Sequence, residues 1–138
     1  MTAQFPTAVH ALVYLLHKGT LVSSTELADN ICTNAARVRK IMAQLHHAGL
    51  VNATEGRSSG YTIIPQGALI TLTDVAHALE EVPVSVSWRS GDIDRNCQVS
   101  SGMAAEMDQV YDTLNVLCFT GMKQITIGTI CDHIFQKK

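Results

Sequence analysis

The sequence predicts a mainly α-helical chain with a small β-hairpin wing: a winged helix-turn-helix followed by a long C-terminal helix suited to pairing with a second copy. Three observations carry this. Three apolar stripes at helical spacing fall within the first 48 residues, two short strand-like segments flank a Gly/Ser-rich tip, and Met103, Met107, Val110, Leu114 and Leu117 step by four and three near the end.

The elements follow in order. Phe5, Ala8, Val9, Leu12, Leu15 and Leu16 mark one face of a first helix that stops near Gly19. Ser23-x-x-Glu26 has the form of a capping box and opens a second helix with Leu27, Ala28 and Ile31 inward. After a turn at residues 30–33, Thr33 or Asn34 caps a third helix with the stripe Val38, Ile41, Met42 and Leu45, closing at Ala48-Gly49. Residues 50–54 and 61–64 read as strands, and Pro65 and Gly67 end the second. Thr71 or Thr73 starts a fourth helix with Leu72, Val75, Ala76 and Leu79 on its inner side. Residues 83–96 have no period and hold the only tryptophan, Trp88, which predicts a loop. A longer helix over residues 100–119 carries the seam, Gly121 breaks it, and Thr126 or Thr129 leads into a closing helix with Ile127, Ile130, Ile134 and Phe135. The expected division is residues 1–82 as a DNA-binding unit, 83–99 as a linker or sensor loop, and 100–138 as a dimerisation helix with its closing helix.

Bulk properties narrow the function. With 46% hydrophobic and 16% charged residues, the 138-residue chain has enough apolar material for a core and too little charge for long disorder. Residues 1–5 lack the basic start and apolar run of a signal peptide, and no stretch is apolar enough to span a bilayer. The expectation is a cytoplasmic protein without a membrane partner. Its four cysteines, Cys32, Cys97, Cys118 and Cys131, are far apart and form no Cys-x-x-Cys pair, which argues against a disulfide framework. The six histidines show no metal-binding spacing, and no phosphate-binding loop or nucleophile elbow occurs, so neither a zinc site nor an enzyme is expected. The net charge of −2 argues mildly against a nucleic-acid binder, but its distribution does not. Residues 1–67 carry +2, with four of five bases between Arg37 and Arg57, and the remainder carries −4.

The third helix holds the candidate chemistry. If its apolar stripe faces inward, Ala36, Arg37, Lys40, Ala43, Gln44 and His47 face outward, with Arg39 on the flank. Small residues let a helix lie close to a groove, while Arg and Lys donate to guanine acceptors or to phosphates. Asn34 is a cap, a base reader, or both, and Ser24 and Thr33 complete the DNA-facing set beside it. The wing tip contributes Arg57, Ser58, Ser59 and Gly60, where glycines allow close backbone approach and the side chains supply donors. A solvated basic face and a plain polar turn are the bland alternatives. At the level of function, the alternative is a winged-helix protein-interaction module without DNA binding.

Several short runs bear on the choice. Phe5, Ala8-Val9 and Ala11-Leu12 open the set, followed by Val38-Arg39-Lys40-Ile41, Ala48-Gly49-Leu50-Val51, Gly56 and Ser59-Gly60-Tyr61. Ile70-Thr71-Leu72-x-Asp74-Val75, Glu80 and Ile125-Thr126-Ile127 complete it. In this order the set closely resembles the Rrf2 family of bacterial transcription repressors, over essentially the whole chain. The resemblance implies a homodimer whose long C-terminal helices cross, a recognition helix in the major groove of double-stranded DNA, and a wing in the minor groove. One departure is Ser59 where the family's wing usually has Gly-Gly-Tyr.

Several members of that family hold an iron–sulfur cluster on three closely spaced cysteines. Only Cys97 lies in the corresponding region, and Asn96-Cys97-Gln98-Val99 resembles a cluster-free branch, so no cofactor and no metal is expected. A site shared across the dimer, using Cys97 with Asp or His, is the remote exception. Cys97 stays open between a redox-sensing thiolate and a cysteine packed under the dimer helix. The signal stays open among redox state, a small molecule and a protein effector.

Overall fold

The computed structural model describes residues 1–136. The order is α1 (Gln4–Lys18), α2 (Ser24–Ile31), α3 (Ala35–His47), β1 (Val51–Thr54), β2 (Gly60–Ile63), a short 3-10 turn (Gly67–Leu69), α4 (Leu72–Ala78), α5 (Gln98–Met122) and α6 (Ile127–Gln136). This is a mainly helical fold with a two-stranded antiparallel hairpin.

One core joins the elements. Leu12 and Leu15 of α1, Leu27 of α2, the whole α3 stripe, Val51 of β1, Val75 of α4 and Ile127 of α6 are each at most 1% exposed. The local signals act as their chemistry demands. Asn34 Oδ1 caps α3 by accepting the Arg37 N–H at 2.8 Å. Thr71 and Asp74 form a true capping box on α4, with the hydroxyl and carboxylate each accepting a backbone N–H.

The expected box at α2 forms only by half. Ser23 Oγ accepts the Glu26 N–H at 3.1 Å. The Glu26 carboxylate instead accepts the Tyr14 hydroxyl at 2.6 Å and pairs with Lys18 at 3.7 Å, so it ties α2 to α1. A charged partner on the neighbouring helix outcompetes a neutral backbone donor.

The C-terminal third departs further from expectation. Helix α5 begins at Gln98 and runs through Gly121, which does not break it. A helical glycine costs only about 1 kcal/mol relative to alanine, and what ends α5 is the return of the chain to the core. There the Leu72 N–H donates to Ile125 O at 3.0 Å and the Ile127 N–H to Ile70 O at 2.8 Å. Helix α6 then packs on α1, with Ile127 wholly buried and Phe135 stacked on His17 at 4.4 Å. Helices α5 and α6 thus separate in space: α6 packs with the N-terminal elements and α5 stands out from them. None of the 25 residues of α5 is buried.

Cys32 ends α2 with φ +66°, a left-handed conformation that costs an L-residue about 1–2 kcal/mol. Its side chain is exposed, so no packing offsets the strain. Cys32→Gly is therefore expected to raise unfolding stability by about 1 kcal/mol, read as a higher urea midpoint at unchanged slope.

Candidate nucleic-acid interface

Burial of Val38, Ile41, Met42 and Leu45 orients α3. Ala36, Arg37, Arg39, Lys40 and Ala43 consequently lie on its exposed surface, as does Asn34 at its cap. Among the described residues the ion pairs are Lys18–Glu26 and Arg89–Asp108, so Arg37, Arg39, Lys40 and Arg57 have no acidic partner. Arg39 leans toward α2, with Nη1 at 3.5 Å from Ser24 Oγ, which brings Ser24 to the same surface. Arg37, Lys40 and Ile41 line a 400 Å³ cleft with Thr2, Ala3 and Gln4. That N-terminal segment is held by hydrogen bonds from the Thr2 N–H and hydroxyl to the Glu81 carboxylate.

Gln44 and Thr33, both expected at this face, are only half-exposed, as is Ser24. Gln44 is half-buried, with Oε1 closed off from solvent and without a hydrogen-bond partner among the described residues. Thr33 is half-buried in the turn between α2 and α3.

The wing register is Val51↔Ile63, Asn52↔Thr62, Ala53↔Tyr61 and Thr54↔Gly60. Arg57, Ser58 and Ser59 are exposed at its tip, but Gly60 is buried. A Cβ added there would lie 2.6 Å from Val22 O, so this position is glycine because the backbone of residue 22 packs onto it. Val22 and Tyr61 exchange two backbone hydrogen bonds of 2.9 and 2.8 Å. This short bridge anchors the wing to the segment between α1 and α2. Sequence reasoning missed Val22, because its partner is 39 positions away and a single bridging residue has no period.

On α5, Met103, Val110, Leu114 and Leu117 are 39–64% exposed and Met107 is half-buried, with Val99 and Val116 also exposed. Cys97 is exposed at the start of this helix, where the Ser100 and Val99 N–H groups hold its thiol below the ordinary range. Cys131, by contrast, is pushed up by burial and by nearby Asp132. No helix among the described residues is long and apolar enough to cross a membrane.

Comparison with known proteins gives a consistent answer. The family model for Rrf2, described as an iron-dependent transcriptional regulator, matches residues 1–133. No curated protein matches the sequence. Among solved structures, a Lactobacillus plantarum protein assigned to transcriptional regulation superposes with a TM-score of 0.77 at 23% identity, covering 100% of each chain. IscR of T. potens superposes at 0.72 and 16% identity, covering 100% of this chain and 90% of its own. CymR, the global cysteine regulator of B. subtilis, superposes at 0.65 and 17% identity, covering 96% of each. At these identities the likeness shows the fold.

The iron in that family description finds no matching donor set here. Among the described residues no three His, Cys, Asp or Glu side chains converge, and Cys97 is the only thiol in the linker. The residues present do not fit a cluster held by several thiolates.

Two outcomes are expected. Gly60→Ala should destabilise the protein by about 1–3 kcal/mol, because the added methyl meets rigid backbone, and this should appear as a lower unfolding midpoint. Below its ordinary pKa a thiol is mostly protonated, so lowering the pKa raises the thiolate fraction near neutral pH. Cys97 should therefore be alkylated by iodoacetamide well before Cys131, as read by mass spectrometry of timed samples.

Proposed function

The chain belongs to the Rrf2 family of transcriptional regulators, and on that premise we propose that it is a homodimeric, sequence-specific DNA-binding repressor. Helix α3 enters the major groove and the wing tip, residues 55–59, approaches the adjacent minor groove. The observation that carries this is the exposed set Arg37, Arg39 and Lys40, without acidic partners among the described residues, on a helix whose other side is sealed into the core.

The physical logic runs from packing to recognition. Ala36 and Ala43 keep the outward side of α3 low, so its backbone can come close to base edges. Arg37 and Lys40 lie in the first turns, the part of a recognition helix that reads bases. Arg39, turned toward Ser24 at the start of α2, is placed for the phosphate backbone, as is Arg57 on the wing. Gln44, with Oε1 turned inward, contributes less than its sequence position suggested.

Dimerisation follows from α5. A 25-residue helix with no buried residue and an apolar seam is poorly stable on its own in water, and pairing with a second copy removes that seam from solvent. The two recognition helices would then read half-sites related by the dimer's two-fold axis. The acidic C-terminal half, kept away from the phosphates, limits non-specific attachment.

Three measurements test this. Binding to a fragment selected from random DNA should weaken steeply with salt, and Arg37→Ala or Lys40→Ala should each lower the log–log salt slope by about 1 if the residue contacts phosphate. A base-reading residue should instead cost about 1–3 kcal/mol at one operator position. Leu117→Asp should convert the dimer to monomer in sedimentation and abolish tight operator binding, since one half-site retains only part of the contacts. A flat salt profile together with retention of a protein partner would instead identify an interaction module.

A further inference from the structure

The linker between α4 and α5 is a strap lying along α5. At one end Val84 and Asn115 are doubly joined: the Val84 N–H donates to Asn115 Oδ1 at 2.8 Å, and Asn115 Nδ2 donates to Val84 O at 3.0 Å. At the other end the Asp92 N–H donates to Ser100 O at 3.0 Å and lies 3.1 Å from Ser100 Oγ. Gly91, at φ +81°, lies so close that an added Cβ would collide with Ser100 O. No residue with a side chain fits there, so that approach is built into the chain. Between these pins the strap stands off the helix and leaves a 280 Å³ cleft, lined by Trp88, Arg89, Met103, Met107, Asp108 and Tyr111 among others.

The polar groups of this cleft are only partly used. Arg89 reaches both Asp108 oxygens at 2.7 and 2.6 Å with the same nitrogen, Nη1. A guanidinium has five N–H donors and a carboxylate about four acceptor positions, so the Nε–Nη2 edge and about half of the Asp108 lone pairs remain available. The pair is half-exposed, so a ligand has access to it. Around it stand two aromatic rings and two thioethers, and Trp88 is 74% exposed.

We propose that this cleft binds a small zwitterion of the α-amino-acid class, with its carboxylate on the open edge of Arg89, its ammonium on Asp108, and its apolar side chain against Trp88, Met103 and Met107. The reason is charge balance. A lone anion or lone cation would leave one member of the pair facing unmatched charge. A ligand with both signs on adjacent atoms adds a partner to each and leaves the net charge unchanged. The volume is just below the usual range for drug-sized ligands, which suits an amino acid. Because the strap is pinned on both sides, the site is formed before the ligand arrives and little ordering cost opposes binding.

Met103 and Met107 also belong to the α5 seam, so an occupied cleft changes the surface that α5 offers to a second copy. Control of operator binding through that change rests on the regulator reading above; the binding of the zwitterion does not.

Trp88 is the only tryptophan, so intrinsic fluorescence of the full chain reports on the cleft directly. Titration with a panel of L-amino acids should give a saturable change for a class with apolar or aromatic side chains. The N-acetyl and the carboxamide derivatives of the tightest ligand, each lacking one charge, should bind at least about tenfold more weakly, and so should the parent ligand to Arg89→Gln and Asp108→Asn. The proposal is overturned if no amino acid gives a saturable response up to about 10 mM, or if the blocked derivatives bind as well as their parent. The blocked ligands are read on the unaltered protein, so they decide the matter even where a variant folds poorly. A gel shift with and without the ligand addresses regulation separately. Unchanged operator affinity removes the regulatory role, whereas failure to bind DNA at all overturns the regulator reading and leaves the fluorescence result standing.

Discussion

Val38, Ile41, Met42 and Leu45 leave water together when α3 docks on α1, α2 and β1, and each such burial contributes about 1.5–3 kcal/mol. Rotating α3 by one residue's worth of arc, about 100°, would bring charged side chains into the core, at a cost far above the energy of any surface contact. The direction of Arg37 and Lys40 is thus a consequence of what the helix hides. Asn34 adds precision at the N-terminus by caging the first turn, and the wing's bridge to Val22 holds the hairpin beside it. Cationic surface and core are two sides of one packing decision.

Helix α5 obeys the opposite rule. None of its residues is fully buried within its own chain, yet its C-terminal end is held to the body where the Thr73 hydroxyl donates to Phe119 O at 2.8 Å and where the chain returns through Thr126 to α6. The result is an arm fixed at one end, with the strap lying along it from Asn115 to Ser100. Such an arm presents apolar surface in a defined direction, and this is what a symmetric assembly requires. Placing the strap on that arm, and not on the winged-helix core, puts the cleft next to the apolar seam of α5.

Much of the site was legible because its signals are local or periodic. The apolar stripe of α3, the Asn34 cap, the Ser23 hydroxyl at α2, the Thr71–Asp74 capping pair and the hairpin around residues 55–59 depend on neighbours within a few positions. What escaped involved partners far apart in sequence. The Glu26 carboxylate turned to Tyr14 and Lys18 instead of its own backbone, Gly60 proved to be a contact with Val22, and Gly121 stayed helical because the chain beyond it had somewhere to pack. The strap lacked any period, so its three attachments to α5 left no mark in the residue pattern.

By itself the sequence determined which segments are helical, which faces are apolar, and that a cationic helix precedes a glycine-bearing hairpin, since these depend on periodicity, capping and turn chemistry within a few residues. Only the tertiary structure decided that α6 returns to the α1 face, that Gly60 is packed inward, that Gln44 turns Oε1 away from water, and that residues 83–92 enclose a cleft with Arg89 and Asp108 at its wall. Those outcomes rest on close packing between segments tens of residues apart, and close packing is a property of shapes in three dimensions that no local pattern encodes.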